Sequence, residues 1–66
     1  MRTRLKVLRV ENHLTQEQMA DKVGTGRQTY AAIETGERRG SEDFWKAIQT
    51  KFEIPDEKMW ELMCNE

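Results

Sequence analysis

The chain contains only one cysteine, Cys64, one proline, Pro55, and one histidine, His13. A lone cysteine forms no internal disulfide, and without further cysteines or a group of histidines there is no ligand set for a zinc ion. Neither a disulfide nor a metal scaffold is expected, and no cofactor is implied. No apolar run approaches the ~20 residues of a membrane span, and the basic start Met1–Arg9 leads into no signal-peptide core. The expectation is a cytoplasmic protein, associated with the nucleoid if it binds DNA, with no membrane partner. β-Branched runs and Asn-Gly hairpin signals are missing, so strands are not expected. There is no Ser/His/Asp or Cys/His arrangement, and 66 residues leave little material for enclosing a substrate. An enzyme is not expected, and no catalytic residue is assigned.

What is present suits one small domain spanning residues 1–66. The apolar residues make up 36% of the chain and recur periodically, while 11 basic and 12 acidic residues nearly cancel, so the chain is expected to fold. The charge is unevenly placed. Residues 1–40 carry a net +3, with Arg2, Arg4, Lys6, Arg9, Lys22, Arg27, Arg38 and Arg39 as the basic members; residues 41–66 carry −4. A basic front suggests a polyanionic partner on one side, although solvated helix faces account for a split of this size as well.

Local signals predict five helices. Leu5 and Leu8 fit a first helix over Thr3–Asn12, with Asn12-His13 as its stop. His13 reads as a solvated residue at a helix end. Thr15-Gln16-Glu17-Gln18 spells a capping box, preceded by Leu14 in the staple position facing Met19 or a neighbour. A second helix over Gln16–Val23 follows, closed by Gly24 in a left-handed conformation. Tyr30, Ile33 and Glu34 pattern a third, Arg27–Thr35, closed by Gly36. Ser41 caps a fourth, where Glu42 and Asp43 suit the amino-terminal dipole and Phe44, Trp45, Ile48 and Phe52 form the buried stripe. Ile54-Pro55 breaks it, and Pro55 suits the first turn of a fifth helix over Asp56–Met63.

The ordered series Leu5, Leu8-Arg9, Leu14-Thr15-Gln16-Glu17, Met19-Ala20, Val23-Gly24, Arg27-Gln28-Thr29, Ile33-Glu34, Gly36 and Ser41 resembles the Cro/phage-repressor (XRE-type) helix-turn-helix family over residues 3–60. The resemblance implies an all-α fold: a compact five-helix lambda-repressor-like DNA-binding domain, its helix-turn-helix formed by helices two and three. The third helix would lie in the major groove while the second crosses the DNA backbone.

Residue chemistry fits these roles. Ala20 is small where the two helices should cross, and Gly24 supplies the positive φ of the turn. Arg27 and Gln28, at the start of the third helix, point away from the Tyr30/Ile33 stripe; an arginine takes the O6 and N7 of guanine, a glutamine the N6 and N7 of adenine. Ala31 and Ala32 offer only methyl contacts to thymine, so few residues should read each half-site. Gln16, Thr35, Arg38, Arg39 and Ser41 match family positions that bind phosphates, a solvated loop being the plainer reading of Arg38-Arg39. Arg9 and Glu34 match positions that pair helix one with helix three, a phosphate contact being the alternative for Arg9. The chain departs from the pattern at Gly26, where a serine cap is usual, at Tyr30, whose hydroxyl needs a partner, and at Glu42 and Gln49, which make helix four more polar.

The resemblance implies a sequence-specific regulator of bacterial or phage origin, a repressor, bound to a palindromic duplex operator. Two side chains reading base edges carry little information, so a homodimer is expected, formed at least on DNA. Met59, Leu62 and Met63 in the last helix are its candidate interface, with Trp60 entering the core. The alternatives are an antitoxin or restriction-controller regulator with a protein partner, or a protein-interaction module on the same scaffold without DNA binding. Net charge −1 speaks for the latter. The clustered Gln16, Arg27, Gln28, Arg38 and Arg39 speak against it.

Overall fold

The computed structural model describes all 66 residues and contains five helices and no strand: α1 (Thr3–Glu11), α2 (Gln16–Val23), α3 (Arg27–Thr35), α4 (Glu42–Phe52) and α5 (Asp56–Met63). The boundaries follow from local chemistry. The Thr15 hydroxyl accepts from the Gln18 amide while the Gln18 side chain accepts from the Thr15 amide, a closed capping box that starts α2. Gly24, at φ 78°, ends it in the left-handed region. The next amide, Thr25, returns to the Ala20 carbonyl at 2.9 Å, which makes the turn into α3 tight. Ser41 caps α4 by accepting from the Phe44 amide at 3.0 Å. Gly26 places no side chain at the start of α3, so that amino terminus has no side-chain cap.

Leu5, Met19, Ala20, Tyr30, Ile33, Phe44, Trp45, Ile48 and Leu62 form one core. The helix-turn-helix pair α2 and α3 packs closely, α4 lies against α2, and α1 bridges α3 and α5. Ala20 is buried in that pair, as close helix approach requires. The polar positions of α4 are accommodated at its edges: Glu42 pairs with Lys46 in solvent, and the Gln49 amide donates to the Ile54 carbonyl.

The last helix corrects two expectations. Trp60, expected in the core, is 67% exposed, and Leu62, expected at an interface with a second copy, is 7% exposed and belongs to the core. The two residues lie about 200° apart around the helix axis, so only one of them can face inward. Docking α5 on α1 selects Leu62, with Met59 packed behind it. Met63 remains on the surface.

Candidate nucleic-acid interface

The exposed side of α3 gathers the residues proposed to read bases. Arg27 and Gln28 are exposed in its first turn, Ala31 and Ala32 are half-buried behind them, and Thr35 is exposed in the last turn. With Glu37, to which the sequence assigned no role, they line one shallow groove of about 330 Å³. Tyr30 and Ile33 occupy the opposite, buried side. A helix of nine residues is about 13 Å long, comparable with the roughly 12 Å width of the B-DNA major groove.

The flanking residues are placed less uniformly. Arg38 and Arg39 are exposed in the Glu37–Gly40 loop, and with Thr25, Thr29 and Ser41 they border a second groove of about 480 Å³ beside the helix-turn-helix turn. The Ser41 oxygen accepts in its capping bond, which leaves its hydroxyl proton available to an anion. Thr35 donates its hydroxyl proton to the Ala32 carbonyl at 3.1 Å, so a phosphate contact from it requires that bond to be given up. Gln16, half-buried at the start of α2, directs its side-chain amide toward Glu34 at 3.5 Å.

Behind the exposed side of α3 lies a closed polar network. Arg9 donates from Nε and Nη2 to the two Glu34 carboxylate oxygens at 3.0 and 3.2 Å, and from Nη1 to the Leu14 carbonyl at 2.9 Å. The Tyr30 hydroxyl donates to Glu34 Oε2 at 2.5 Å. The tyrosine that replaces the family's aliphatic residue thus has its partner one turn along the same helix. Burial alone would raise the Glu34 pKa, but the hydrogen bonds from Arg9 and Tyr30 outweigh it and hold the carboxyl below its ordinary value. Burial, then the hydrogen bond to Glu34 and its charge, push the Tyr30 phenol well above the usual tyrosine range. The hydrogen bond to Glu34 raises Arg9. No buried polar side-chain atom in the protein lacks a partner. The network ties α1, α2 and α3 together at their shared face.

Sequence reasoning gave Arg2 no role beyond its charge. It is 6% exposed, and its guanidinium donates to the carbonyls of Ile33 and Arg38 at 2.6 and 2.7 Å. Burial lowers its pKa. Its neighbours in sequence, Arg4 and Lys6, are exposed cations, so nothing local distinguishes the buried member of the series.

A five-helix domain whose third helix follows a tight glycine turn and leaves one side open to solvent has the form of a helix-turn-helix protein. The family profile described as Helix-turn-helix matches residues 5–58, and the chain belongs to that family, of the XRE type. An "Uncharacterized HTH-type transcriptional regulator" from Archaeoglobus fulgidus is 33% identical over 69 aligned residues, which cover 92% of this chain and 97% of that protein. No solved structure matches the chain.

Proposed function

We propose that this protein is a sequence-specific double-stranded DNA-binding transcriptional repressor that reads the major groove with α3. The observation that carries the reading is the groove that Arg27, Gln28, Ala31, Ala32 and Thr35 form, with Glu37 at its edge, on the solvent side of the second helix of a helix-turn-helix. Arg27 and Gln28 specify base pairs, the alanine methyls contact thymine, and Arg38, Arg39, Ser41 and Gln16 engage phosphates on either side. The name of the archaeal relative supports a role in transcription. Repression follows from occupancy: the domain offers a DNA-reading face and, on α5, exposed Trp60 and Met63 for a second copy. It works as a homodimer on a palindromic operator, at the nucleoid.

The test is selection of duplexes from a random library, followed by gel shifts on the enriched sequence. A palindromic consensus whose preference changes at one base pair with Arg27→Ala or Gln28→Ala supports the reading. If both variants keep the wild-type affinity and preference, α3 is not the reading helix. Absence of any enriched sequence would favour the protein-interaction alternative.

A further inference from the structure

Arg2 is a buried cation with no carboxylate partner; the three salt bridges of the protein lie elsewhere. All of its acceptors are backbone carbonyls. Nη1 donates to Ile33 at 2.6 Å and Arg38 at 2.7 Å, Nη2 to Arg39 at 3.4 Å, and Nε to Met63 at 3.1 Å. Its own amide donates to the Glu34 carbonyl at 2.8 Å, and the guanidinium carbon sits 5.6 Å from the centre of the Trp45 ring.

These acceptors define a place. Ile33 and Glu34 belong to the last turn of α3 and Met63 to the end of α5, where a cation also complements the helix dipole. The remaining acceptors are the carbonyls of the two loop arginines. Trp45 Nε1 adds a second bond to the Arg39 carbonyl at 3.0 Å, and the Arg38 amide returns to the Ala32 carbonyl at 3.2 Å. The backbone of Arg38 and Arg39 is therefore held from inside the protein while both side chains are left in solvent. Gly40, at φ 82°, turns the chain away directly over the Trp45 ring, where a Cβ would come within 2.8 Å of the indole nitrogen.

A loop that grips phosphates loses affinity if binding must first order it. We propose that Arg2 is a positioning residue for DNA binding: its fork of carbonyl contacts preorganises the Glu37–Gly40 loop against the end of the recognition helix, so that Arg38 and Arg39 meet the DNA backbone in a fixed register. The inference rests on the DNA-binding reading above and adds to it a residue that never touches DNA. Lysine keeps the charge at this position but has neither the planar fork nor enough directed donors to span these carbonyls.

The experiment measures the salt dependence of binding to a mixed-sequence duplex for wild type, Arg2→Lys, Arg2→Met, the Arg38→Ala/Arg39→Ala double variant, and the double variant with Arg2→Lys added. Near-ultraviolet circular dichroism checks the fold of each. Each phosphate contact contributes about 0.9 to the log–log slope, so the double variant should flatten it by up to about 1.8. Arg2→Lys should lose a substantial part of the same slope, cause no further loss in the double variant, and speed amide exchange at residues 37–40. Equal losses in both backgrounds would show an unspecific structural role and overturn the proposal. So would an Arg2→Lys variant that binds like wild type while the double variant is impaired, although DNA binding would then stand. If Arg2→Met does not fold, Arg2→Lys decides; if neither folds, the arginine serves the whole core and the positioning role is rejected. A wild type that binds no duplex at low salt would reject the DNA-binding reading itself.

Discussion

Glu34 shows how a single carboxylate organises this protein. It is 2% exposed and accepts from Arg9, Tyr30 and Gln16, so any loss of its charge is felt by three helices. Arg9→Met leaves that buried charge with weaker partners and is expected to cost about 3–5 kcal/mol in denaturant unfolding. Tyr30→Phe removes one charge-assisted hydrogen bond and should cost roughly 1.5–3 kcal/mol. The pH dependence has a definite sign. Because the folded pKa of Glu34 lies below its unfolded value, its contribution is present above the ordinary glutamate pKa and is lost as pH falls through the folded pKa. Tyr30→Phe weakens what depresses that pKa, so its acid-unfolding midpoint should move to higher pH than the wild type's; an unchanged midpoint would remove Tyr30 from the account. On the reading face, Arg27→Ala or Gln28→Ala should cost roughly 1–3 kcal/mol of operator affinity and relax one base pair, measured by titration against single-base operator variants.

At the scale of the helix, much of the architecture is legible because its signals are local. Thr15 with Gln18, Gly24, Gly36, Ser41 and Pro55 each mark a boundary within a few residues of where its chemistry acts, and the bounds of α2, α3 and α5 follow from them. The exposed side of α3 is legible for the same reason, since helical periodicity separates Arg27 and Gln28 from Tyr30 and Ile33. Arg2 is not, because its acceptors lie 31 to 61 residues away along the chain. Trp60 and Leu62 are not either: α5 carries four large apolar residues in eight, and only the docking of α5 on α1 decides which of them face inward. The uncapped start of α3 gives an element-scale prediction. Gly26 has an ordinary negative φ, and a Cβ there meets nothing within 4 Å. Gly26→Ser should therefore supply the missing cap and raise stability by about 0.3 kcal/mol, a small gain because glycine is itself a tolerable cap. A loss of stability in thermal or denaturant unfolding would mean that the conformation at residue 26 excludes the cap.

At the scale of the whole molecule, the dimensions bear on how the proposed reading face would be used. The Cα atoms of the domain span 27 × 22 × 22 Å and present a single α3, while neighbouring half-sites of a palindrome lie one helical turn, about 34 Å, apart. One copy cannot span both half-sites. Two copies side by side could, provided that α3 of each lay outward of its centre. The surface proposed for that contact has changed in detail from the one expected of α5: Leu62 is withdrawn into the core, Met63 is 45% exposed, and Trp60, at 67%, becomes the principal apolar group. A tryptophan left in solvent beside the half-buried Glu61 is suited to anchor an interface, because aromatic side chains dominate binding energy where they are desolvated. Glu61 and Glu66 lie with Arg4 beside Trp60, and their carboxylates would repel phosphates, so Trp60 should face protein rather than DNA. An interface carried by one short helix is small, and assembly is expected to be weak in free solution and complete on the operator. Sedimentation with and without a palindromic duplex checks this. Wild type should bind two to one, and Trp60→Asp or Met63→Asp should bind one to one with reduced affinity while retaining the helical circular dichroism spectrum. A wild type that remains one to one on a full palindrome would exclude the homodimer, and two-to-one binding by both variants would move the contact away from α5.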